Sequence, residues 1–170
     1  AKQVEQSFAS SLEHLGVDRL DSYVLHGPST RGALGPEDWE AWRAMEALHA
    51  GGRTRLLGVS NVTLAQLEEL CSKATLAPSI VQNRCYAAQG WDRAVRAFCR
   101  EHGILYQAFS LLTGNPEVVR HATVAAIAAR LRRTPAQVIF AFALQAGTIA
   151  LTGTTDPAHM TQDLSVFGVA

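Results

Sequence analysis

Arg55-Leu-Leu-Gly-Val-Ser60 is followed by Asn61-Val62, by Thr63-Leu-Ala-Gln66 and, after Pro78, by Ile80-Val-Gln-Asn83. This stretch decides the fold. A short apolar run of Leu and Val bounded by polar residues has the composition of a buried strand. T-x-x-Q is a capping box, in which the Thr hydroxyl and the Gln amide satisfy helix N-terminal N–H groups. Leu64, Leu67, Leu70 and Cys71 then recur at helical spacing. Ile80-Val-Gln-Asn83 is a second short apolar run. Strand, helix, strand with no tight hairpin signal predicts a parallel crossover unit.

The same alternation extends both ways. Upstream, Val4, Phe8, Leu12 and Leu15 mark a helix closed by Gly16, and Asp21-Ser-Tyr-Val-Leu-His26 is a strand ended by Gly27-Pro28. Residues 29–36 read as loop. Trp39, Trp42, Met45 and Leu48 share a helical face that ends at Gly51-Gly52. Downstream, Asp92 is placed to cap a helix through Val95, Phe98 and Cys99, and Ile104 to Ser110 is the fourth strand. Helices over about 117–132 and 135–146 follow, the second opened by the capping box Thr134-Pro-Ala-Gln137. Thr148 to Thr152 is the fifth strand, and Pro157 starts a last helix through Met160 and Leu164. Strict alternation predicts an α/β fold with parallel strands. An open doubly wound sheet and a closed eightfold barrel both fit. No G-x-G-x-x-G and no Walker motif occurs, which weakens the nucleotide-binding open sheet. A (β/α)8 barrel takes about 31 residues per unit, so this chain equals about five and a half units. Five strands fit that figure, and a barrel would lack three.

Lys plus Arg and Asp plus Glu number 15 each among 170 residues, a net charge of zero. That balance excludes a broadly basic nucleic-acid binder and an acidic tail. No apolar run is long enough to span a membrane, and no signal-peptide pattern is visible. Cys71, Cys85 and Cys99 form no C-x-x-C pair and are expected as reduced thiols, which places the protein in the cytoplasm. No His, Cys, Asp and Glu set has metal-ligand spacing, so no metal site is expected. Trp39 and Trp42, one turn apart, are expected in the core.

Polar residues end every strand: His26, Ser60-Asn61, Gln82-Asn83, Phe109-Ser110 and Gly153-Thr154-Thr155. In parallel barrels the active site lies at that end. Cys85 lies near a strand end without an evident base, so a nucleophilic role is not favoured.

In order, Asp21 to Pro28, Trp39 to Gly52, Gly58-Val-Ser-Asn61, Pro78 to Gln82, Phe98 to Ile104, Ala108-Phe-Ser110, Thr134-Pro-Ala-Gln137 and Gly153 to Thr155 resemble the aldo-keto reductases. The resemblance implies strands four to eight of a (β/α)8 TIM barrel: one domain over residues 1–170, truncated at its N-terminus. It implies NAD(P)H-dependent reduction of aldehydes and ketones. His26 matches the histidine that orients the substrate carbonyl. Ser60, Asn61 and Gln82 match the side chains that hold the nicotinamide carboxamide, and Phe109 the aromatic stacked on it. Ser110 and Leu112 match the loop at the pyrophosphate. Gly153, Thr154, Thr155, His159, Gln162 and Asp163 fall at the adenosine end. There the family often carries Lys, Arg and Asn where this chain has Gly153, His159 and Asp163. NADP is the expected cofactor, with NAD held open.

The family's Tyr, Lys and Asp acid-base group has no counterpart in this sequence. The chain is therefore expected to be inactive alone and to work as part of a larger reductase. The alternative is a non-catalytic cofactor-binding or regulatory module. Open sheet edges would be covered by a missing N-terminal segment or by a second copy in a homo-oligomer. A small carbonyl substrate is the expected partner, with neither nucleic acid nor membrane.

Overall fold

In a computed structural model, which describes residues 1–168, helices and strands alternate as the sequence predicts. In chain order they are α1 (Lys2–Leu15), β1 (Leu20–Leu25), α2 (Pro36–Ala50), β2 (Thr54–Ser60), α3 (Leu64–Lys73), β3 (Ile80–Arg84), α4 (Arg93–Glu101) and β4 (Leu105–Phe109). After them come α5 (Pro116–Val119), α6 (Ala122–Leu131), α7 (Pro135–Gln145), β5 (Ile149–Ala150) and α8 (Pro157–Leu164). The described residues divide into two compact units, Ala1–Gln82 with Ala97–Leu105, and Asn83–Arg96 with the residues from Tyr106 on. The boundary falls inside β3, inside α4 and after the first residue of β4.

In the first unit β1 pairs with β2, and β2 with β3, all parallel. Gly58 lies between Val24 of β1 and Ile80 of β3 with no room for a side chain. A Cβ there would lie 3.0 Å from Val24 Cγ2 and from Ile80 Cβ and O. Leu57, Val59, Leu67 and Val81 are fully buried, and each such side chain contributes about 2 kcal/mol. Trp42 is buried and donates its indole N–H to the Leu76 carbonyl at 3.1 Å, while Trp39 is half-buried. The Thr63 box forms as predicted. Thr63 Oγ1 accepts from Gln66 N, and Gln66 Oε1 accepts from Thr63 N. The buried Gln66 amide also donates to the Thr30 carbonyl at 2.9 Å.

In the second unit β4 pairs parallel with β5, with Gln107 opposite Ile149 and Ala108 opposite Ala150. Ile139, Phe140, Ala141 and Ala143 bury one face of α7. The Thr134 box forms too, and its Gln137 amide donates to the Gln162 carbonyl and to Ser165 Oγ.

Three expectations shift. The fifth strand is Ile149–Ala150, shorter than Thr148 to Thr152, because the Thr148 amide and hydroxyl both donate to the Ala143 carbonyl at the end of α7. The helix expected over 117–132 breaks between Val119 and Ala122, where the His121 ring accepts from Thr123 N and caps α6. Asp92, expected to cap α4, has a φ of 51°. Its Oδ2 receives Asn83 Nδ2 at 2.9 Å and the Tyr106 hydroxyl at 2.7 Å.

Candidate functional site

The first unit gathers His26, Ser60, Asn61 and Gln82 at the C-terminal ends of β1, β2 and β3. Asn61 is the tie. Its backbone N–H donates to the Gln82 carbonyl at 3.1 Å, and its Nδ2 donates to the His26 carbonyl at 2.8 Å and to Ser60 Oγ at 3.1 Å. Its φ of 53° is left-handed, a conformation Asn tolerates better than most residues. Ser60, 2% exposed, donates its hydroxyl proton to the Gln82 carbonyl at 2.6 Å. The Ser60 proton and both Asn61 amide protons are thus committed within the protein. Toward a ligand this pair presents oxygen lone pairs, which suit the NH2 end of a carboxamide. His26 is exposed.

The second unit holds a cavity of about 660 Å³. Phe109, Ser110, Leu112, Gly153, Thr154, His159, Gln162 and Asp163 all line it, and Thr155 is not in the lining. Among the described residues no Lys or Arg lines it. Asp163 accepts the Thr152 hydroxyl. Asp156 caps α8: its carboxylate accepts from Ala158 N and His159 N, and these amides hold it below the ordinary carboxylate value. Gln137 fastens α7 to Gln162, so the cavity wall contributed by α8 is anchored.

The loop after β4 is held by residues that the sequence did not single out. Ser110 has a φ of 58°. Asn115, 4% exposed, donates from Nδ2 to the carbonyls of Cys85 and Leu111, each at 2.9 Å, and accepts from Ala87 N at 2.7 Å. Gly114 lies under the Tyr86 ring, where a Cβ would run into Tyr86 Cε1. Asn115-Pro116 signals only a turn in the sequence. Nothing local says that the amide reaches back to Cys85.

Among the described residues, the tyrosines, Lys73 and Cys85 are engaged elsewhere in the fold. The Tyr106 phenol is pushed far above its ordinary value by burial and by the Asp92 carboxylate. The Tyr23 hydroxyl donates to the Val4 carbonyl at 3.4 Å, and the Tyr86 hydroxyl accepts from Arg84. Lys73 pairs with Glu69 on α3. Burial pushes the Cys85 thiol up to about 11, which disfavours the thiolate a nucleophile needs.

Residues 1–115 match the sequence model of the Aldo/keto reductase family. An uncharacterized oxidoreductase of Bacillus subtilis, YtbE, is 33% identical over 161 residues, 95% of this chain and 55% of its own length. An aldo/keto reductase structure from Brucella melitensis superposes with a TM-score of 0.85 at 28% identity, over 98% of this chain and 62% of the other. A Gox0644 mutant solved in complex with NADPH superposes with a TM-score of 0.83 at 28% identity, over 97% and 59%. The chain spans little more than half the length of the curated relatives it matches. Its fold corresponds to part of the barrel of these structures.

Proposed function

The chain belongs to the aldo/keto reductase family, and from that premise we propose that it carries the cofactor site and one catalytic histidine of an NAD(P)H-dependent carbonyl reductase. One observation supports this above the others. Eight residues that the sequence places at the cofactor line a single cavity in the second unit. The substrate class proposed is a small aldehyde or ketone.

The residues present fit the group. In the first unit Ser60 and Asn61 offer acceptors to a carboxamide; in the second, Phe109 offers a ring face, and Ser110 and Leu112 lie on a braced loop. When bound, the nicotinamide supplies the hydride. His26 orients the carbonyl by a hydrogen bond to its oxygen and so fixes the geometry of attack. Ser60, Asn61 and Gln82 fix which ring face is presented. At the adenosine end, a 2′-phosphate meets neither Lys nor Arg in the lining, so the usual charge-assisted recognition is reduced. NADP remains the proposed cofactor, and NAD is accepted with little discrimination.

A second reading has a specific observation in its favour. Among the described residues the tyrosine hydroxyls meet Val4, Arg84 and Asp92 rather than a lysine, and burial pushes the Tyr106 phenol up. Carbonyl reduction needs an acid for the developing alkoxide. On this reading the chain binds the cofactor without turning it over, as a regulatory module does.

The experiment is a titration of the chain with NADPH, followed by an NADPH-oxidation assay across a panel of aldehydes. Binding with oxidation supports the reductase. Binding without oxidation supports the binding module. No binding at millimolar cofactor contradicts both.

A further inference from the structure

We propose that Arg84 is a positioning residue that acts through Phe109 and biases the site toward reduced, uncharged nicotinamide and against the oxidised, cationic form. This rests on the cofactor reading above. Arg84 is the last residue of β3, and its guanidinium carbon lies 5.4 Å from the Phe109 ring centroid and 6.0 Å from that of Tyr86. Its Nη1 donates to the Tyr86 hydroxyl at 2.6 Å. Tyr86 is itself fixed, because its ring fills the space above Gly114. The guanidinium is therefore held on Phe109 although the side chain is exposed. Among the described residues it pairs with no carboxylate, so no neighbouring counter-charge offsets it.

Phe109 lines the cavity and Arg84 does not, so the cation meets the ring from outside the cavity. An aromatic face attracts cations through its quadrupole. Arg84 already draws on that quadrupole, and it repels a second cation brought to the same ring. Oxidised nicotinamide is such a cation and reduced nicotinamide is not. A fixed unit charge within a Debye length, in a half-aqueous setting, changes the affinity of a second cation by about threefold. The consequence is a standing preference for the reduced cofactor, the form that serves carbonyl reduction.

The test is titration of the full chain with NADPH and, separately, with NADP+, for the native sequence, Arg84→Gln and Arg84→Lys. The native chain is expected to favour NADPH. Arg84→Gln is expected to narrow the ratio of the two dissociation constants by about threefold, and Arg84→Lys, which keeps the charge, to restore most of it. Added salt should narrow the native ratio and leave that of Arg84→Gln unchanged. An unchanged ratio in Arg84→Gln, or an equal loss of both affinities, overturns the proposal while the cofactor reading stands. Failure of the native chain to bind either form removes the cofactor reading and this proposal together.

Discussion

His26 leads the residue-scale predictions. It is exposed at the end of β1, and its backbone carbonyl, not its ring, receives Asn61 Nδ2. His26→Ala therefore leaves that tie in place. In a chain that turns over, it should lower kcat about a hundredfold and change NADPH affinity by less than about twofold. Steady-state kinetics beside a binding titration checks this split. Cys85 makes the opposite case, a buried group with no chemistry to do. Its thiol is raised from an ordinary 9.0 to about 11, so between those values the folded chain holds a proton that the unfolded chain has released. Stability should therefore fall as pH rises from 9 to 11, and Tyr106, whose phenol is raised from an ordinary 10.0, adds to that fall from about pH 10 upward. Thermal unfolding of Cys85→Ala should show a shallower alkaline decline than the native chain. A parallel decline would mean that the thiol does not titrate in this range. Gly114→Ala drives a methyl into Tyr86 and should cost about 1–3 kcal/mol, read from denaturant midpoints.

At the scale of elements, the two capping boxes do more than start helices. Gln66 and Gln137 each close a box and each donate to a second segment, Gln66 to Thr30 and Gln137 to Gln162 and Ser165. Thr63→Ala removes a cap and should cost about 1 kcal/mol. Gln66→Ala leaves buried partners unmet and should cost about 2 kcal/mol. Gln137→Ala should cost about the same and also weaken NADPH binding several-fold, because α8 carries His159, Gln162 and Asp163. Denaturant melts beside binding titrations separate the two effects. The boxes were legible because both partners lie three residues apart in sequence. The strands were legible because their apolar runs are short and bounded. Other features were not, for physical reasons. Gly90, Trp91 and Asp92 all take left-handed φ, and Asp92 is held by Asn83 and by Tyr106 from the far side of α4. The loop 110–115 depends on Asn115 reaching Cys85 and Ala87. Such bonds leave no local periodicity to read. β5 is shorter than its apolar run because Thr148 serves the end of α7 rather than the ladder.

For the molecule as a whole, the alternation of strand and helix determined the fold class, and family resemblance assigned roles to the strand-end residues. The roles of Ser60, Asn61 and Phe109 came from that resemblance. Their hydrogen bonds and the cavity are what the structure adds. Balanced charge and the lack of a long apolar helix among the described residues gave no hint of a nicotinamide site. On the proposed function this chain, spanning little more than half of its relatives, holds a nicotinamide cofactor in the cavity of its second unit. Calorimetric titration of the chain with NADPH should then show saturable binding near one cofactor per chain. Flat heats up to millimolar NADPH would contradict it.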